Sequence, residues 1–308
     1  MFMISLLYLI STTLMTRLRV KIIPIRISIA VISFVLFNKF FGWPDKRIAH
    51  PSGTRAFTAS DESTDPSEKV DDEKLLEEAQ EEPALPKDLK HIPYQYVRLS
   101  EKEMLSRASE FYQIAAARRT LRYFSADPVA KEVIYEIIKA AGTAPSGAHT
   151  EPWTFVVISN QIMKSKVRTI VEQEEEINYK KRMGIKWTTD LSPLRTNWIK
   201  EYLTVAPYLI LVFKQTYGSL PNGKKKVHYY HEMSVSIACG ILITAIQHAG
   251  LVTLTSTPLN CGPALRSLLG RPANEKLVLL LPVGYPAKDA TVPDLQRKPL
   301  SEILIEID

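Results

Sequence analysis

Residues 143–153 read Thr-Ala-Pro-Ser-Gly-Ala-His-Thr-Glu-Pro-Trp. The hydrophobic period changes across this stretch, so its reading decides the fold. Upstream, Val133, Ile134, Ile137, Ile138 and Ala141 recur at the spacing of one helix face. Asp127-Pro128 offers a helix start and Gly142 a stop. Downstream, residues 153–159 form a short apolar run of strand length. Pro145 and Pro152 stiffen the connection, and Ser146, Gly147 and Ala148 keep its backbone open to a flat ligand. Such a loop between two apolar elements is a candidate binding surface.

The same alternation continues outward. Residues 161–183 read as a long charged helix. Residues 208–215 and 276–283 read as buried strands, and 231–249 as a nearly all-round apolar helix ending at Gly250. Mixed helices and strands over residues 95–308 predict an α+β or α/β domain.

The chain has 308 residues, 45% hydrophobic and 23% charged, which excludes a mostly disordered or collagen-like protein. Two cysteines, Cys239 and Cys261, exclude a disulfide framework and a CxxC pair. The six histidines show no HExxH or HxH spacing, so no metal site is expected. The net charge of +6 is unevenly spread. Residues 1–60 hold eight Lys/Arg against one Asp, and residues 61–82 hold eleven Asp/Glu against two Lys. The basic excess forms no stripe, and no nucleic-acid partner is expected.

The first 16 residues are uncharged and apolar or small-polar. Arg17, Arg19, Lys21 and Arg26 follow, then a second apolar run over 27–37 and the aromatics Phe40, Phe41 and Trp43. Each run is shorter than the roughly 20 residues of a typical span. The second spans if Arg26 and Lys39 snorkel to the interfaces. Residues 1–43 are read as a single-pass membrane anchor region, with a removed targeting segment as the alternative. Residues 44–94, rich in Ser, Thr and Pro and then strongly acidic, are read as a flexible linker with a short solvated helix near 74–82.

Arg118-Arg119-Thr120-Leu121-Arg122 places three guanidiniums within five positions. They can hold a phosphorylated cofactor or form a solvated basic turn. This element, followed by the 143–153 loop, resembles the nitroreductase superfamily of FMN-dependent enzymes. The segments around 172–184, 194–203 and 255–263 are similar to its iodotyrosine deiodinase branch. The resemblance covers about residues 95–308. It implies an α+β, domain-swapped homodimer with FMN at the subunit interface.

The resemblance assigns Arg118, Arg119, Thr120, Leu121, Arg122 and Arg297 to the FMN phosphate and ribityl side. It assigns Pro145 and Ser146 to the isoalloxazine edge. Thr255, Ser256 and Thr257 lie along the flavin, with the Thr257 hydroxyl at N5 as the catalytic contact. Glu175, Tyr179 and Lys200 clamp the zwitterion of a halogenated tyrosine, and the Ala148 N–H meets its phenolate. Glu175 and Tyr179 are four apart, on one helix face, with Lys200 on the next helical segment. The implied reaction is reductive removal of iodide from 3-iodotyrosine and 3,5-diiodotyrosine, with bromo- and chlorotyrosine as further substrates. The resemblance also implies NADPH as the ultimate donor, and the chain carries no GxGxxG of its own. The alternatives are an NAD(P)H-dependent nitroreductase or quinone reductase of the same fold, and a non-catalytic halotyrosine binder.

Overall fold

A computed structural model describes residues 83–307 of the chain, Pro221 excepted. The anchor reading of 1–43, most of the 44–94 linker and the helix read near 74–82 lie outside the described residues. Among the described residues no helix is long and apolar enough to cross a membrane.

The framework is an antiparallel sheet in the order β1-β2-β6-β5, with β1 Trp153–Ile158, β2 Tyr208–Gln215, β5 Val252–Thr253 and β6 Glu275–Gly284. Strand β2 explains the layering. Leu209, Leu211 and Phe213 enter one core cluster, whereas Ile210 and Val212 enter the other. Side chains alternate across a strand, so a strand buried on both faces must be apolar at every position.

The first cluster lies under α3 (Gln161–Ile177), through Val167 and Val171. The second lies under α2 (Lys131–Gly142) and α6 (His231–His248), through Ile134, Ile137, Val235, Leu242 and Ile246. Ile134 is fully buried, and truncating such a residue to Ala typically costs about 2–5 kcal/mol. A smaller hairpin pairs β3 (Tyr217–Ser219) with β4 (Lys225–Val227).

Local chemistry sets the element ends. Ser100 caps α1 (Glu101–Ala117) by accepting from the Glu103 N–H at 3.3 Å. Asn160 caps α3 by accepting from the Met163 N–H at 2.9 Å. Gly250, at φ +76, ends α6 in the left-handed conformation that glycine adopts without strain.

Three expectations need correction. Asp127-Pro128 does not start α2; the cap is Ala130, three residues on. Val129 is buried in the same cluster as Ile134, a staple that fixes where the chain enters the helix. Gly142 is the last helical residue, with Thr143 as its cap. Lys200 lies not on a helix but just ahead of the four-residue α5 (Tyr202–Val205).

After α3 the chain enters a π-helical turn over Asn178–Arg182, closed by the Met183 N–H on the Asn178 carbonyl at 3.0 Å. Helix α4 (Gly184–Leu191) follows. Helix α7 (Gly262–Leu268) precedes β6, and α8 (Leu300–Ile303) lies near the C-terminus.

Candidate active site

Three of the predicted segments meet at one edge of the sheet. The chain leaving α1 runs parallel to β5, where the Leu121 N–H donates to the Thr253 carbonyl at 3.3 Å and Thr120 bridges Thr253. Leu121 is buried and anchors the segment, while Arg118, Arg119, Thr120 and Arg122 stay partly accessible. Beyond β5, Ser256 exchanges two backbone bonds with Leu280 of β6, at 3.1 and 2.8 Å. Thr255 and Thr257 flank it and are exposed. Residues 118–122 and 255–257 are thereby fixed beside each other.

The C-terminal tail joins them. Arg297 donates to the Arg118 carbonyl at 2.8 Å, and Arg119 donates to the Pro293 carbonyl. Burial lowers the Arg118 pKa, and the charges of Arg297 and Arg119 lower it further. Guanidiniums gathered at the cost of mutual repulsion are a charge cluster that a phosphate ester can neutralise, since each can donate in a fork to its oxygens.

The clamp residues also converge. Lys200 Nζ is 3.5 Å from Glu175 Oε2 and 5.4 Å from the centre of the Tyr179 ring. Glu172 holds Lys200 in place by accepting its backbone N–H at 2.6 Å, and is itself paired with Arg168 at 2.8 Å. Burial lowers the Lys200 pKa, the nearby Glu175 carboxylate opposes that, and Arg122 adds to the lowering. Burial raises the Tyr179 pKa, partly offset by a hydrogen bond to Thr196. Arg122 acts on both Tyr179 and Lys200, so the clamp lies within electrostatic reach of the arginine segment. Glu174 and Glu176 pair instead with Arg182 and Lys180 on the surface.

The 143–153 loop is built as a rigid cradle. Ala148, His149 and Glu151 all adopt positive φ, near 50°. The loop closes on itself through the His149 N–H on Ser146, the Thr150 N–H on Gly147 and the Glu151 N–H on Ser146 Oγ, at 3.0–3.2 Å. The Ala148 N–H is not used in these bonds, and Ala148 is exposed. Gly147 is needed because a Cβ there would stand 2.7 Å from the Tyr229 carbonyl oxygen.

Within one chain, however, Pro145, Ser146 and Ala148 do not meet the other site residues. The loop packs on Tyr229, at the N-terminal end of α6, and leads into Trp153, paired with Lys214 and through it Lys276. Thr120 and Thr253 pair at the Val283 end of β6, beyond the C-terminal end of α6. Helix α6 has 18 residues, so the two groups lie at opposite ends of an element about 27 Å long at 1.5 Å per residue.

The nitroreductase family model matches residues 115–285. The chain belongs to the nitroreductase family. It is 66% identical to iodotyrosine deiodinase of Danio rerio over 71% of this chain and 74% of that protein. It is 62% identical to iodotyrosine deiodinase 1 of Homo sapiens over 75% and 80%. The crystal structure of oxidized iodotyrosine deiodinase bound to FMN and 3-iodo-L-tyrosine superposes with a TM-score of 0.56. It is 27% identical and covers 64% of this chain and 98% of that one.

Arg297 lies beyond the nitroreductase-family match, yet its bond to Arg118 ties it to the site. Sequence reasoning missed Glu172 and Asn178. Glu172 was findable, standing four residues after Arg168 in a helical pattern. Asn178 is a poor helix former inside a helical run, a signal that draws notice only once its partners are seen.

Proposed function

We propose that this chain is an FMN-dependent deiodinase that removes iodide reductively from 3-iodotyrosine and 3,5-diiodotyrosine. The observation that carries the reading is the buried Glu175–Lys200 pair beside Tyr179, on a nitroreductase-family scaffold. A free amino acid has an ammonium and a carboxylate to match such a pair. A quinone or nitroaromatic has neither, which disfavours the general reductase reading.

The residues fit FMN. Arg118, Arg119, Arg122 and Arg297 supply the phosphate and ribityl contacts, with Thr120 and Leu121 providing the backbone between them. Pro145 and Ser146 border the ring system, and Thr255 and Ser256 lie along it. FMN, when bound and reduced, supplies the two electrons of the reaction. In the net change the C–I bond breaks, iodide departs with its electron pair, and two electrons and a proton give the C–H bond of tyrosine.

The protein's own tasks are positioning and charge control. Glu175 takes the substrate ammonium and Lys200 its carboxylate. The substrate carboxylate returns to Lys200 the counter-charge that burial makes it need. Tyr179 covers the clamp. The free Ala148 N–H donates to the ring oxygen and favours its ionised form. The Thr257 hydroxyl would donate toward the flavin and tune its reactivity.

The distance between the Ser146 loop and the arginine segment supports a homodimer in which each FMN is shared by two copies. Unpartnered apolar residues on α1 (Leu105, Phe111, Tyr112) and in the tail (Ile303, Ile305, Ile307) support the same reading. Residues 1–43 anchor the dimer to a membrane by a single pass, and a separate reductase passes electrons from NADPH.

The test is iodide release from diiodotyrosine by the FMN-loaded chain reduced with dithionite. Iodide and tyrosine are the expected products. Absence of iodide, with NAD(P)H-driven reduction of nitroaromatics, would overturn the assignment.

A further inference from the structure

Asn178 is 1% exposed and sits in the π-helical turn directly after the helix that carries Glu175. Its amide is fully occupied. Nδ2 donates to Glu175 Oε1 at 3.3 Å and to the Leu259 carbonyl at 3.4 Å. Oδ1 accepts from Arg182 at 3.0 Å and from Asn260 at 3.4 Å. The partners dictate this orientation, because a carboxylate and a carbonyl only accept and a guanidinium only donates.

The Glu175 carboxylate is consequently held from both sides, with Oε2 facing Lys200 and Oε1 facing Asn178. Leu259 and Asn260 follow Thr257 by two and three residues. Asn260 adopts φ 63, which turns its side chain onto Asn178. A single buried amide therefore ties the proposed ammonium ligand to the loop that carries the proposed flavin contact.

We infer that Asn178 is a positioning residue that sets the Glu175 carboxylate for the substrate ammonium and locks it to the Thr257 loop. The inference rests on the deiodinase reading above. A simple helix-ending role would require only the backbone of Asn178, not a side chain that bridges two functional segments.

Asn178→Asp separates these roles. The shape and the acceptor side toward Arg182 and Asn260 are kept. Both donated bonds are lost, and a second carboxylate faces Glu175. Glu175 is otherwise faced by Lys200, Tyr179, Tyr202 and Cys261, with Arg122 and Glu172 acting through Lys200. The variant leaves all of these in place.

The experiment uses the full chain and measures FMN affinity, and diiodotyrosine affinity of the FMN-loaded protein, across pH. The expected result is unchanged FMN affinity and about tenfold weaker diiodotyrosine at neutral pH, as befits loss of a bond to a charged group. The pH below which diiodotyrosine binding fails should also move up relative to the wild type. Unchanged diiodotyrosine affinity and pH edge, or a parallel fall in FMN affinity, would overturn the inference.

If the Asp variant does not fold, Asn260→Gly decides. Glycine keeps the positive φ and deletes one bond to Asn178. A weaker diiodotyrosine affinity with FMN affinity intact supports the inference, and an unchanged affinity overturns it. A wild-type chain that neither binds diiodotyrosine nor releases iodide overturns the deiodinase reading, and this inference with it. A competent wild type with indifferent variants overturns this inference alone.

Discussion

Lys200 Nζ stands 3.5 Å from Glu175 Oε2, with only 7% and 14% of the two side chains exposed. A pair this buried loses much of its solvation, and Lys200 shows it in a pKa lowered despite its neighbour. In the proposed role, a zwitterion would give each charge a second partner and make the arrangement favourable. The proposed clamp is held by Glu172 on one side and Asn178 on the other.

Glu175→Gln keeps the shape of this clamp and removes its negative charge. Truncating one partner of a buried, hydrogen-bonded charge pair typically costs about 2–5 kcal/mol. Diiodotyrosine affinity should fall by at least about thirtyfold on that scale, with FMN content unchanged. Iodophenol, which has no zwitterion, should be nearly indifferent. Equal losses for both compounds in a titration of the FMN-loaded protein would give Glu175 a structural role.

The two halves of the proposed flavin site lie at opposite ends of α6, so two defective chains should complement. In the proposed homodimer, a chain carrying Glu175→Gln and a chain with a disabled 143–153 loop should each be strongly impaired at low diiodotyrosine. Mixed in one dimer, they leave one site with both halves intact. Coexpression should recover about half of the per-dimer activity for each mixed dimer formed, following the two-fold symmetry of such an interface. No recovery in purified mixed dimers would place each site within a single chain.

Arg297 is tied to Arg118 although it stands outside the matched family region. Arg297→Ala should weaken FMN binding by about ten- to a hundredfold, the range for a hydrogen bond to a charged group. Titrating the apoprotein with FMN measures this directly. Added salt should narrow the difference between variant and wild type.

Thr257 is exposed on the loop pinned by Ser256 and Leu280. Thr257→Ala removes a hydroxyl and little volume. A single hydrogen bond is worth roughly 0.5–1.5 kcal/mol net, so iodide release should slow severalfold at matched FMN occupancy. Reduction of nitroaromatics should hold or improve. Iodide release that is unaltered in single-turnover assays would make Thr257 only a wall of the site.

Much of this fold is legible in the sequence because its signals are local. Strands β2 and β6 are continuous apolar runs, α6 ends on a glycine, and the 143–153 loop is punctuated by two prolines. Helix α1 left no such trace, since it buries no residue in the single chain and so shows no inward stripe. The start of α2 was misread because the burial of Val129 outweighed a good capping pair. Asn178 was illegible for another reason. Its partner Leu259 is 81 residues away, and no periodicity records a contact of that kind. The separation of Ser146 from Arg118 is likewise a property of the sheet, not of spacing.

The remaining prediction concerns stability and pH. His228 is 7% exposed, and neither ring nitrogen has a hydrogen-bond partner among the described residues. Its ring fills the space beside Gly218, where a Cβ would stand 2.9 Å from Nε2. Burial pushes its pKa down to about 4, and the charges of Lys226 and His231 push the same way. Below the ordinary histidine value of about 6.5, the unfolded chain takes up a proton that the folded one refuses until about pH 4. The folded state therefore loses stability as pH falls through that window, and regains it as pH rises. His228→Phe removes both the proton and the unpaired ring nitrogens while keeping an aromatic ring in place. Urea unfolding at pH 4.5 and pH 7.5 should show a smaller difference in the variant than in the wild type. An undiminished difference would assign the acid sensitivity to other groups and leave His228 as packing alone.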